Sequence, residues 1–132
     1  MSSDPLEIMY YAGPSMTPAL KSGDMLFIAP QRKGRVNMGD VVVFASPLKG
    51  EKVVHRVASI SLRGIRTKGD NNGNVDPWVL QPAEILGRVV CVKSRGKLIK
   101  VRGGFAGRLL IILFWIRRRI RAALSHLRRG VL

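Results

Sequence analysis

A serine held between two prolines is the first group in this chain equipped for chemistry. In Gly13-Pro14-Ser15-Met16-Thr17-Pro18 each proline fixes its own φ and pushes its predecessor towards extended geometry, which presents Ser15 on a stiff, kinked turn. A serine hydroxyl is a poor nucleophile until a base within hydrogen-bond reach takes its proton. His55 is the candidate base, because an imidazole's ordinary pKa of about 6.5 suits proton transfer near neutrality. The other histidine, His126, stands beside Ser125 in a basic tail. Lysine is the rival base, and Lys52 is the nearest one before His55. A histidine base works best when a carboxylate holds its other nitrogen. The loop Gly69-Asp70-Asn71-Asn72-Gly73-Asn74-Val75-Asp76 supplies two, Asp70 and Asp76; Asx turns are the ordinary alternative for both. Pro14 has no N–H, so the backbone N–H of Ser15 is the oxyanion donor that can be named.

Residues spread over sixty positions need a scaffold, and the chain between them reads as strands. Met25-Leu26-Phe27-Ile28-Ala29 enters from Gly23-Asp24 and closes at Pro30. A polar connector from Gln31 to Asn37 leads to Gly39-Asp40, which opens the β-branched run Val41-Val42-Val43-Phe44. Lys52 to Ser61 and Arg63 to Lys68 form the arms of a hairpin, and residues 69–77 have turn chemistry at nearly every position. Leu86 to Val92 and Lys97 to Val101 are joined by Ser94-Arg95-Gly96. Strands so closely spaced leave no room for crossover helices. The expected fold is mainly β: a small antiparallel β-barrel or folded β-ribbon over residues 20–102.

The composition changes after Gly103-Gly104, which divides the chain into a β-rich domain, 1–104, and a tail, 105–132. Of the net charge of +15, residues 1–104 carry +8 and residues 105–132, with seven arginines and no acid, carry +7. Such a tail attracts anionic lipid or nucleic acid. At 100° per residue, Leu109, Ile112, Leu113, Ile116, Ile120, Ala123, Leu124 and Leu127 share one stripe of a helix. Arg117, Arg118, Arg121, Arg128 and Arg129 gather on another side. The all-round apolar run Leu109–Ile116 falls well short of the roughly 20 residues that span a bilayer. An amphipathic helix over 105–129 lying on an anionic membrane surface is therefore expected, with Phe114 and Trp115 at the headgroup boundary. Residues 1–12 contain Asp4 and Glu7 and no apolar stretch of a secretory signal or anchor. Cys91, the one cysteine, sits in an apolar run and reads as core filler.

The serine turn, Gly23-Asp24, Gly39-Asp40, His55-Arg56 and Lys68-Gly69-Asp70-Asn71-Asn72, in that order, resemble the catalytic domain of type I signal peptidases over residues 8–92. The similarity is to the archaeal and endoplasmic-reticulum branch, which uses a histidine base. It implies a serine endopeptidase that cuts a precursor polypeptide after a small residue in an extended segment. It makes Ser15 the nucleophile and His55 the base, and the carboxylate six positions after the Gly-Asp aspartate, Asp76, the third member. Asp70 matches the aspartate that supports the geometry of the site. Family members usually carry a membrane-spanning helix just before the serine; the 14 residues that precede Ser15 here are too short for one, so any anchor is expected elsewhere, and the bacterial hydroxyl two positions before the nucleophile is here Gly13.

The competing class is a non-catalytic basic β-module that binds nucleic acid or membrane. Few aromatics suited to stacking bases occur in residues 8–92, where Trp78 is the only tryptophan, so nucleic acid is not expected as a partner. A self-cleaving repressor would need a helix-turn-helix domain and a lysine base. The acidic loop lacks the bidentate glutamate of a calcium-binding EF-hand, and no glycine-rich phosphate loop is present. No metal or cofactor is expected.

Overall fold

The computed structural model describes residues 5–31 and 35–130; residues 32–34 of the polar connector lie outside them. Seven strands build one antiparallel sheet: β1 (Glu7–Tyr10), β2 (Met25–Pro30), β3 (Val41–Ala45), β4 (Lys52–Ser61), β5 (Gly64–Lys68), β6 (Ile85–Ser94) and β7 (Lys97–Lys100). Their order is β1-β2-β6-β3-β4-β5. The long β6 holds β3 with its first residues and β7 with its last, on the edge opposite β2. A 27-residue helix, α1 (Gly104–Gly130), follows.

Of the two expected β architectures the chain adopts the ribbon. Among the described residues β1 and β5 end the path without pairing to each other, so the sheet does not close. Register shifts at Phe27/Ile28, Val43/Phe44 and Val57/Ser59 mark bulges, each of which bends its strand and raises the local twist. The bent sheet encloses two cores. Val41 and Val43 pack with Tyr11, Met16, Leu20, Leu26 and Val54. Val42 and Phe44 pack with Val57, Ile65, Leu80 and Ile85. Successive strand residues point to opposite faces, so a strand with a core on either side must be apolar at every position. That is why β3 reads as an unbroken run rather than an alternation.

Two expectations are revised here. β1 lies before residue 20, where no strand is expected, yet it pairs with β2 from Glu7↔Ile28 to Tyr10↔Met25. Three of its four side chains are exposed and only Met9 reaches the core, so a strand this short shows no buried run to read. Cys91 is half-buried opposite Phe27, beside the extra residue Val90 that bulges β6, rather than fully in the core.

In α1 the expected stripe faces outward. Leu109, Ile112, Leu113, Ile116, Ile120 and Leu124 are between 43% and 54% exposed, while Ile111, Phe114 and Trp115 turn towards the sheet and are half-buried. The side chains of Leu127, Arg128 and Arg129, counted in the expected faces, lie outside the described residues. Gly107, the residue least suited to a helix, is buried where α1 starts: a β-carbon there would collide with the Arg102 carbonyl and the Arg56 guanidinium. No helix among the described residues is long and apolar enough to cross a membrane.

Candidate active site

The serine turn is built between β1 and β2 and pinned from two sides. Gly13 takes φ +113°, a conformation that disfavours any side chain, and Thr17 N–H donates to the Pro14 carbonyl at 3.2 Å. The loop after β5 closes over this turn. Asn71 N–H donates to the Ser15 carbonyl at 2.8 Å and Asn71 Nδ2 to the Pro14 carbonyl at 3.2 Å. Gly69 allows that approach, because a β-carbon there would lie 2.8 Å from the Ser15 carbonyl oxygen. From below, the Tyr11 hydroxyl lies 3.0 Å from Ser15 Oγ and accepts the Met16 N–H at 3.1 Å.

His55 lies on β4 opposite Val42, edge-on to Phe44 at 6.2 Å between ring centroids. Its Nε2 is 3.3 Å from Ser15 Oγ and its Nδ1 is 2.6 Å from Asp76 Oδ2. A carboxylate only accepts, so the Nδ1 hydrogen is donated to Asp76 and Nε2 is left as an acceptor facing the serine. The serine–histidine contact is the longest link, as is ordinary before a substrate tightens it. Asp76 Oδ2 also accepts from Thr67 Oγ1 at 2.6 Å, and Asp76 N–H donates to the Thr67 carbonyl at 2.8 Å. Thr67, fully buried on β5, thus fixes both ends of the aspartate.

Asp70 serves a different partner. Neighbours on a strand point to opposite faces, so Arg56 turns away from His55 and binds Asp70 in a fork, Nε to Oδ1 at 2.9 Å and Nη2 to Oδ2 at 3.0 Å. Arg56 Nη1 also donates to the carbonyls of Gly39 and Arg102, at 2.7 and 2.8 Å. This buried bidentate pair ties β4, the Gly39-Asp40 turn and the loop together. Helix α1 grips the same loop from outside: Trp115 Nε1 donates to the Asp70 carbonyl at 3.1 Å and Arg118 to Asn71 Oδ1 at 3.0 Å. Lys68 and Arg118 stand over the indole ring, 5.4 and 5.1 Å from its centroid. Trp115 therefore anchors helix to loop rather than meeting a headgroup layer.

Ser15 and His55 open into a cleft of about 380 Å³ whose walls are Met9 to Ala12 on one side and Lys52 to Val54 on the other, with Trp78. A second cleft of about 330 Å³ shares Met9 and Lys52 and continues past Glu7, Ile8 and Leu86. Both walls are strand edges. Among the described residues β1 is paired with β2 on one edge only, and β4 pairs with β5 only from Arg56 onwards. Between these edges an extended chain would find unpaired backbone groups next to the serine.

The family model for Peptidase S24-like proteins matches residues 3–90, two-thirds of the chain. The chain belongs to the Peptidase S24-like family. Within that family it groups with the type I signal peptidases. It is 37% identical over 75 residues to the signal peptidase complex catalytic subunit of Dictyostelium discoideum, covering 53% of this chain and 41% of that protein. The catalytic subunit of Ogataea parapolymorpha is 32% identical over 111 residues, 67% of this chain and 61% of that one. That of Candida tropicalis is 40% identical over 62 residues, 44% and 37% of the two chains. This chain thus spans between about a third and three-fifths of the curated relatives it matches. No solved structure matches it.

All four residues singled out in the sequence lie in one region of the structure. Ser15, His55 and Asp76 form one hydrogen-bonded series, while Asp70 lies on the far side of the strand with Arg56. The Ser15 N–H has no hydrogen-bond partner among the described residues. The sequence pattern singles out neither Tyr11 nor Thr67. For Tyr11 the available signal is the alternation Ile8, Tyr10 out and Met9, Tyr11 in: a phenol turned into a core needs a partner for its hydroxyl, and the serine turn is four residues away.

Proposed function

We propose that the chain is a serine endopeptidase of the signal-peptidase type that cuts a precursor polypeptide after a small residue. The observation that carries this reading is the Ser15–His55–Asp76 series opening on a cleft between two unpaired strand edges. Ser15 is the nucleophile, His55 takes its proton, and Asp76 holds the imidazole and stabilises the imidazolium. The Ser15 N–H stabilises the oxyanion. Asp70 acts at one remove, fixing the loop through Arg56. The substrate segment adds as a strand, its backbone pairing with β1 or β4 and alternate side chains entering the cleft. The names of the relatives support the substrate class, and the resemblance supplies the preference for a small residue. Incubation of the full chain with presecretory polypeptides, followed by sequencing of the new amino termini, should give one cut after a small residue. A bulky residue placed there should abolish the cut; indifference to that change would defeat the specificity.

We also propose that α1 holds the protein to an anionic membrane surface. Its outward stripe is apolar, and the exposed Arg117, Arg119 and Arg121 flank it, each adding about 1 kcal/mol near anionic lipid. Full-length protein should float with anionic liposomes and be partly released by high salt. Ile116→Asp, on the exposed stripe, should weaken flotation without touching the site. Failure of the wild type to float with such vesicles would end this proposal.

A further inference from the structure

We infer that Tyr11 is a further catalytic residue, donating its phenolic hydrogen to Ser15 Oγ while Oγ gains and loses its proton. The inference rests on Ser15 being the nucleophile and goes beyond it by assigning a direction to every hydrogen in the series. One end is Met16 N–H, a group that can only donate, and it donates to the Tyr11 oxygen at 3.1 Å in a buried position. The other end is Asp76, which can only accept, and it takes the His55 Nδ1 hydrogen. Nε2 is therefore an acceptor, and the Ser15 hydrogen points at it across 3.3 Å. The Tyr11 hydrogen then has Ser15 Oγ as its acceptor, 3.0 Å away. Tyr11 is only 6% exposed, and a buried hydroxyl whose hydrogen is left unused costs about 1–3 kcal/mol.

The acceptor half of this arrangement satisfies Met16. The donor half acts on the reacting atom. In acylation the Oγ–carbon bond forms, the carbonyl electron pair moves to its oxygen, and the Oγ proton passes to Nε2. On collapse the carbon–nitrogen bond breaks and the leaving amine takes that proton. Water then attacks the acyl carbon, giving a proton to Nε2, and the carbon–Oγ bond breaks as Oγ recovers a proton. In the first and last of these events Oγ carries partial negative charge. A hydrogen bond donated to it is then stronger than in the resting state, which is the condition for lowering a barrier. Tyr11 keeps its own proton throughout and holds Oγ aimed at the cleft.

The test uses the full-length protein and a fluorophosphonate, which forms a covalent bond with an activated serine. Labelling rate at Ser15 and thermal midpoint are measured for wild type, for Tyr11→Phe, and for a chain with 4-aminophenylalanine at position 11. The phenylalanine lacks donor and acceptor; the aniline keeps a donor and is a poor acceptor. Both variants should melt earlier than wild type, because Met16 N–H loses its partner. Labelling should fall about 10–100-fold in Tyr11→Phe, less than the loss of an oxyanion donor, and should largely recover with the aniline. Rate would then follow the donor while stability follows the acceptor. A Tyr11→Phe protein that labels as fast as wild type overturns the inference, as does a folded aniline variant that labels as slowly as Tyr11→Phe. If Tyr11→Phe does not fold, the aniline variant decides against wild type: near-equal labelling supports the donor role and slow labelling overturns it. Absence of labelling in wild type itself removes the nucleophile assignment and the inference with it, an outcome recognisable because no substitution is involved.

Discussion

Ser15→Ala and His55→Ala are each expected to lower precursor cleavage by about 10⁶-fold, close to the loss from removing both. Nucleophile and base act as one unit: without His55 the Ser15 proton has no acceptor at Nε2, and without Ser15 there is no bond to form. The two variants should differ in stability. Ser15 is half-exposed on its turn, so the alanine opens no gap and removes only the acceptor of the Tyr11 hydroxyl. His55 is buried against Phe44, and its truncation leaves a gap that lowers the thermal midpoint. Rates are therefore compared between chains shown to be folded, with the double variant as reference. Additive losses in the double variant would mean that the residues do not cooperate.

The second large effect separates the two aspartates. Asp76→Asn should slow cleavage by about 10²–10⁴-fold, because the imidazolium formed in the transition state loses its counter-charge. Packing around it changes little, since an amide oxygen can still accept from Thr67 Oγ1. Asp70→Asn should do the reverse. It leaves the buried Arg56 guanidinium without its carboxylate, a class of change that costs about 3–5 kcal/mol, while His55 and Asp76 keep their contact. Thermal melting and cleavage rates measured on both variants check the pair; a larger rate loss with intact stability at Asp70 would exchange their roles.

The contrast between these aspartates shows where sequence is legible and where it is not. β2, β3, β6 and the β4–β5 hairpin can be read because β-branched runs are bounded by Gly-Asp and Gly-containing turns. β1 is harder to read, because an edge strand of four residues with Met9 as its one inward side chain carries too short an alternation to stand out. Whether the ribbon closes depends on bulges at Phe27/Ile28, Val43/Phe44 and Val57/Ser59, which are set by packing from both faces. In α1 the 3.6-residue period fixes the stripe but not which side meets the sheet. Trp115 suits a membrane boundary and a loop carbonyl equally well until Asp70 is seen 3.1 Å away. The partition of Asp70 and Asp76 follows from consecutive residues, His55 and Arg56, facing opposite ways. Only a strand assignment at that position makes it visible.

The central claim, that Ser15 is a nucleophile activated by His55, is tested most directly by covalent labelling. Folded full-length protein is treated with a fluorophosphonate and the modified residue is located by peptide mass spectrometry. A single adduct on Ser15 is predicted, lost in a folded His55→Ala chain. Wild-type protein that remains unmodified at Ser15, or a His55→Ala chain labelled as fast as wild type, would contradict it.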